Sequence, residues 1–139
     1  MSCELNSIAS IAMSRGPQPI KVLLVEDDVV IGSLVADKLR DDGFVVQEAS
    51  TGEKAIAWLE TEPGIDILFT DISLPGEVDG RELAVRARAM RPDLPIVYAS
   101  GCYSAFGLEG MVTRSLFVPK PYQPADICAL LARLTEPVH

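Results

Sequence analysis

The stretch Lys21-Val22-Leu23-Leu24-Val25-Glu26-Asp27-Asp28 passes from four consecutive apolar residues directly into three acidic ones. An unbroken apolar run of this length fits a short strand buried on both faces, the kind found inside parallel sheets. Four further runs repeat the theme: Phe44-Val45-Val46, Ile65-Asp66-Ile67-Leu68-Phe69, Leu94-Pro95-Ile96-Val97-Tyr98 and Leu116-Phe117-Val118. Helical patterns lie between them. Ile31, Leu34, Val35 and Leu39 recur at helical spacing, and Gly43 follows as a stop. Ser50-Thr51-Gly52-Glu53 has the form of a capping box opening a helix through Leu59. Asp79 stands where it can cap a helix carrying Leu83, Ala84, Ala87 and Met90, ending before Pro92. Ile127, Leu130, Leu131 and Leu134 mark a last helix with Pro124 in its first turn. The stretch from Tyr103 to Met111 is a weak helix pattern, interrupted by Gly107 and Gly110.

Strands alternating with helices predict an α/β fold with a parallel sheet of five strands, and a 2-1-3-4-5 order, one of the common doubly wound orders, is expected for it. Ligands of such sheets sit at the carboxyl ends of the strands. Those ends are polar here: Glu26-Asp27-Asp28 after the first strand, Thr70-Asp71 on the third, Ser100-Gly101 on the fourth and Lys120-Pro121 after the fifth. Neighbouring first and third strands bring Glu26, Asp27 and Asp71 together. Two carboxylates at 4 Å repel by about 4 kcal/mol at an effective dielectric of 20, so a cation or a proton must offset them. An all-oxygen set suits Mg²⁺. With Lys120 as a positive charge and Ser100 as a hydroxyl donor, the edge holds a nucleophile, a metal site and charge stabilisation, the parts that in-line phosphoryl transfer needs.

These motifs, over about Ile20 to Leu134, resemble the response-regulator receiver domain of bacterial two-component signalling. The resemblance implies a flavodoxin-like, doubly wound sheet. It implies that Asp71 accepts a phosphoryl group from the phosphohistidine of a histidine kinase or phosphotransfer protein. Glu26, Asp27, Asp71 and the backbone carbonyl of Ser73 would hold Mg²⁺. Lys120, whose bond to Pro121 is expected to be cis, would contact the phosphoryl group. Ser100 and Phe117 take the positions of the family's conformational switch, and Phe117 lacks the hydroxyl of the common tyrosine. Ser73 and Cys102 sit where family members tune phosphoryl lifetime. The segment Leu74–Gly80 is one residue longer than the commonest receiver form. The strings Phe-Thr-Asp-Ile and Tyr-Ala-Ser-Gly-Cys are similar to those of stand-alone receivers. In the family the near end of the first helix docks the kinase, which makes Val30, Ser33 and Asp37 candidate contact residues.

Composition limits the alternatives. The chain has 139 residues, enough for one domain, and 48% of them are apolar, enough for one core. A receiver domain is expected over 20–135, with a flexible tail before it and a short one after it. Output is then expected through contact with a downstream protein, with catalysis confined to the domain's own phosphorylation and dephosphorylation. The net charge of −8 disfavours nucleic acid and anionic membrane as partners. Three widely spaced cysteines and the absence of a basic, apolar leader point to a reduced, cytoplasmic setting.

Three other functions fit the residues less well. An aspartyl-nucleophile phosphohydrolase would place a second acid two residues after Asp71, where this chain has Ser73. A nucleotide-binding fold would have glycines where Glu26-Asp27-Asp28 stand. A phosphate-independent interaction module would not need the whole acidic set. Single residues also carry plain explanations. Asp28 fits a helix start, Cys102 a small packing residue, Trp58 a partly packed ring and the terminal His139 no catalytic part. Arg81, Arg88 and Arg91 fit a solvated face, with an acidic partner as the alternative.

Overall fold

The computed structural model describes residues 18–101 and 111–135. The tail up to Pro17, the Tyr103–Gly110 stretch, Cys102 and His139 lie outside them. Among the described residues the elements are, in order, β1 (Lys21–Val25), α1 (Val29–Asp41), β2 (Val45–Ala49), α2 (Gly52–Thr61), β3 (Ile67–Asp71), α3 (Gly80–Met90), β4 (Ile96–Ser100), β5 (Ser115–Pro119) and α4 (Pro124–Leu134). All strand pairs are parallel and the order is β2-β1-β3-β4-β5, as the sequence predicts.

Strand alternation divides the core into two layers. Leu23, Val25, Leu68, Ile96 and Tyr98 face α2 and α3; Val22, Leu24, Ile67, Phe69, Val97 and Ala99 face α1 and α4. The two-sided burial expected of consecutive apolar runs holds for β3 and β4, which are buried throughout, and for β1 after Lys21. It fails for the edge strands: β2 mixes buried Val46 and Ala49 with exposed Val45 and Glu48, and β5 is only partly covered along its length. That is why β2 runs on through polar Gln47 and Glu48 to Ala49, beyond the apolar run that signalled it.

Strands β3 and β4 begin two residues later than their apolar runs. Ile65 and Leu94 are buried, but their carbonyls accept from Arg91 Nη1 (3.1 Å) and Arg88 Nε (2.8 Å). The same contacts correct the expectation of a basic stripe. Arg88 and Arg91 direct their guanidinium groups at backbone carbonyls instead of offering a solvated cationic face.

Helix ends follow local chemistry. Asp28 Oδ1 accepts from Val30 N and Ile31 N and so caps α1, which settles its place at a helix start. Gly43, at φ +94°, closes the same helix with its N–H on Arg40 O and the Phe44 N–H on Leu39 O. Asp79 Oδ1 accepts Glu82 N at 2.9 Å and caps α3. The capping box at α2 is not formed. Thr51 is the cap, accepting Lys54 N at 3.1 Å, while Glu53 accepts the N–H of Glu77 across the β3–α3 loop.

Two positions assigned to the core by periodicity lie open. Leu34 is 58% exposed and Met90 is also exposed. Trp58 is partly buried against the α2–α3 layer, as expected.

Candidate functional site

Each strand of the central part of the sheet delivers one group to the carboxyl edge. Glu26 follows β1, and its N–H continues the ladder to Ala49 O at 3.0 Å. Asp71 ends β3, with its backbone fixed by the neighbouring Ile72 N–H on Ala99 O at 3.0 Å. Ser100 ends β4, and its carbonyl accepts the Lys120 N–H at 2.9 Å, which seats Lys120 directly beyond β5. The Lys120–Pro121 bond is cis, as the resemblance implies.

The ammonium of Lys120 bridges the two buried acids. Its Nζ lies 2.7 Å from Asp71 Oδ1 and 3.1 Å from Glu26 Oε1. Asp71 is only 6% exposed; Glu26 and Ser100 are also buried, whereas Asp27 is open to solvent. Carboxylate oxygens of Glu26, Asp27 and Asp71 all lie within 4.8 Å of one another. The second oxygen of Glu26 accepts Asp28 N at 3.1 Å, so the backbone of the α1 cap orients this side chain.

This crowding decides the protonation states. Burial, and then the neighbouring Glu26, push the Asp71 carboxyl up to about 8. Burial acts the same way on Glu26, but hydrogen bonds with Asp71, the Asp28 N–H and Lys120 outweigh it and hold Glu26 below the usual carboxylate range. The metal-free pair therefore tends to hold one proton between its two acids, and burial and Glu26 oppose the ionisation of Asp71. Burial works against the charged form of Lys120, yet Asp71 and Glu26 together hold it well above its ordinary value. One lysine does not balance three carboxylates, and a divalent cation on the exposed side would displace the shared proton. The open Asp27 leaves such a cation room for water, as Mg²⁺ requires.

Gly80 explains how the α3 layer approaches the acceptor. A Cβ at this position would run into the carbonyl oxygen of Asp71 and come within 2.7 Å of Ile72 Cα. The Gly80 N–H meets Ile72 O at 2.7 Å. The loop between them folds back on the start of α2, where Gly52 leaves no space for a side chain beside Val78.

The remaining candidates fall into two groups. Ser73 is exposed two residues beyond Asp71, and Phe117 is half-buried in the α2–α3 layer beside β4. Val30, Ser33 and Asp37 are exposed along α1. Val30 is 68% exposed and joins exposed Val29 and Leu34 in an apolar patch. Behind Leu34 lies a cavity of about 380 Å³ lined by Ile31, Val35, Lys120, Pro121, Tyr122 and Pro124. Tyr122 was not singled out by the sequence. Its ring packs on Phe69 with centroids 5.7 Å apart, and burial, followed by Glu26, raises its phenol to about 12. Its position directly after Lys120-Pro121 was the available signal.

The chain matches the family model described as "Response regulator receiver domain" over residues 22–132, and it belongs to that family. A crystal structure of a response regulator receiver protein from Sinorhizobium medicae WSM419 superposes with a TM-score of 0.78 at 32% identity, over 84% of this chain and 94% of that one. The two-component response regulator ORR11 of Oryza sativa subsp. indica is 29% identical over 92% of this chain and 88% of its own length. A transcriptional regulatory protein of Bacillus subtilis, YbdJ, is 25% identical over 84% of this chain, which spans only 51% of that relative. The protein is thus a CheY-like receiver domain whose acidic trio fits a phosphoacceptor site. Among the described residues, no helix is long and apolar enough to cross a membrane.

Proposed function

We propose that this domain accepts a phosphoryl group on Asp71 from a histidine kinase or phosphotransfer protein and signals by protein contact. The observation that carries the proposal is the convergence of Asp71, Glu26, Asp27, Ser100 and Lys120, from four strand ends, on one edge of the sheet. Glu26, Asp27, Asp71 and the Ser73 carbonyl are the groups that would hold Mg²⁺, which when bound supplies charge stabilisation to the phosphoryl oxygens.

The protein's own side chains have distinct parts. An Asp71 carboxylate oxygen attacks phosphorus as the P–N bond of the donor phosphohistidine breaks, and the imidazole keeps the bonding electrons. Lys120, already 2.7 Å from Asp71, follows the charge onto the transferred group. The Ser100 hydroxyl donates to another phosphoryl oxygen, and with Phe117 it passes the change to the rest of the domain. Hydrolysis by water returns the carboxylate. Phosphorylation and its reversal are the only catalysis proposed. The exposed patch at Val30, with Ser33 and Asp37 along the same helix, is the surface that would dock the donor protein. An aspartyl phosphohydrolase is disfavoured because position 73 holds a serine in place of the general acid.

Acetyl phosphate with and without Mg²⁺, read by intact mass, tests the acceptor. One phosphoryl group should be gained only with Mg²⁺ and never by Asp71→Asn. A gain that survives this substitution would refute the assignment.

A further inference from the structure

Tyr98 is a buried polar residue that the phosphoacceptor chemistry does not use. It lies in β4 without solvent exposure, two residues before Ser100, on the strand face turned toward α2 and α3. Its phenolic oxygen accepts the N–H of Val112 at 3.1 Å. Val112 belongs to the segment that leads into β5, where Phe117 is the register partner of Tyr98.

The rest of that segment is held from elsewhere. Arg88 of α3 donates from Nη1 to Thr113 O (2.6 Å), from Nη2 to Arg114 O (2.8 Å) and from Nε to Leu94 O. Ser115 Oγ donates to Val112 O at 2.6 Å, and Arg114 Nη2 reaches Pro92 O at 3.0 Å. Residues 113 and 114 are therefore anchored to α3 and the α3–β4 turn, while the Val112 N–H is tied to β4 itself.

We propose that Tyr98 is a positioning residue that couples the end of β4 to the entrance of β5. The proposal rests on Ser100 responding to a phosphoryl group on Asp71. When the Ser100 hydroxyl turns to that group, the end of β4 is drawn toward the Asp71 site. The Arg88-anchored segment cannot follow, so the Tyr98–Val112 hydrogen bond lengthens and the Val112 amide is released. The tether thus carries, from inside the sheet, a link that Phe117 cannot make because it has no hydroxyl.

Amide hydrogen exchange on the full chain tests the tether, with acetyl phosphate and Mg²⁺ as the probe and intact mass run in parallel. In the unmodified protein, phosphorylation should speed exchange at Val112 about tenfold, the equivalent of one net hydrogen bond, and leave the centre of β5 unchanged. Tyr98→Phe keeps the buried ring and removes only the hydroxyl. It should exchange fast at Val112 before phosphorylation, show no further rise after it, and still take up the phosphoryl group. Arg88→Lys, which removes the planar fork that anchors residues 113 and 114, should blunt the rise at Val112 while the mass gain persists, a result that a purely structural tyrosine would not produce. A phosphoryl gain with no change at Val112 in the unmodified protein overturns the coupling alone. No gain in that protein overturns the acceptor assignment on which the coupling stands.

Discussion

The two ends of the sheet hold buried charge in opposite ways. At the amino end, Arg91 donates to four carbonyls, those of Leu59, Glu62, Pro63 and Ile65, at 2.6–3.2 Å. These include carbonyls at the carboxyl end of α2 that the helix itself leaves unpaired. Lys21 and Glu62 add an ion pair at 3.0 Å. At the carboxyl end, Glu26 and Asp71 are buried as like charges around one ammonium. One end pairs its cations with backbone carbonyls and a carboxylate of the protein. The other leaves a surplus of negative charge that only a proton or a bound cation removes. The first arrangement stabilises the fold and the second makes a site.

The largest test of this contrast is at Arg91. Arg91→Ala should lower unfolding free energy by about 2–4 kcal/mol, because several half-buried carbonyls lose their donor. Arg91→Lys should recover only part of that, since an ammonium cannot span four acceptors. Urea denaturation checks both, and a loss under about 1 kcal/mol for the alanine variant would break the contrast. Next is Gly80→Ala, which forces a Cβ against the acceptor's own backbone. It should cost about 2 kcal/mol in the same experiment and slow phosphorylation from acetyl phosphate.

Asp71→Asn should have the opposite sign. In the metal-free protein its carboxyl is raised from 3.8 to about 8, so the native state resists ionising it. For a raised acid the penalty is absent below pH 3.8, grows as pH rises and is complete above about pH 8. The asparagine variant should therefore be more stable than the parent by about 1–3 kcal/mol near pH 7. That advantage should vanish in acid and narrow with Mg²⁺, which binds the parent preferentially. Equal stability across this range would mean that the edge is not electrostatically strained. The smallest effect should come from Glu53→Gln, which weakens the contact to the Glu77 N–H. The Glu77 amide should exchange faster with no change in global stability. At the docking surface, Val30→Asp should slow transfer from the cognate kinase while leaving acetyl phosphate reactivity intact.

Much of the architecture could be read from local pattern. The run at Lys21–Val25, the Gly43 stop and the Asp79 cap each depend on neighbours within a few residues, and each appears as expected. The acidic, hydroxyl and lysine motifs could be placed at one edge because parallel strands present their carboxyl ends to the same side of the sheet, where ligands bind. The misplaced residues share a cause. Periodicity indicates that Leu34 lies near an apolar face, but not that the neighbouring chain at Tyr122 and Pro124 leaves a cavity there. Glu53 matched a local capping pattern, yet its partner is 24 residues away.

The sequence by itself therefore determined the strands, their polar ends and the set of groups available for chemistry, because side-chain period and turn chemistry are short-range. Only the tertiary structure decided that Lys120 bridges Glu26 across 94 residues, that Arg88 and Arg91 point into backbone carbonyls, and that Tyr98 holds Val112. Hydrogen-bond partners and burial depend on which distant segment covers a face, and no local pattern encodes that.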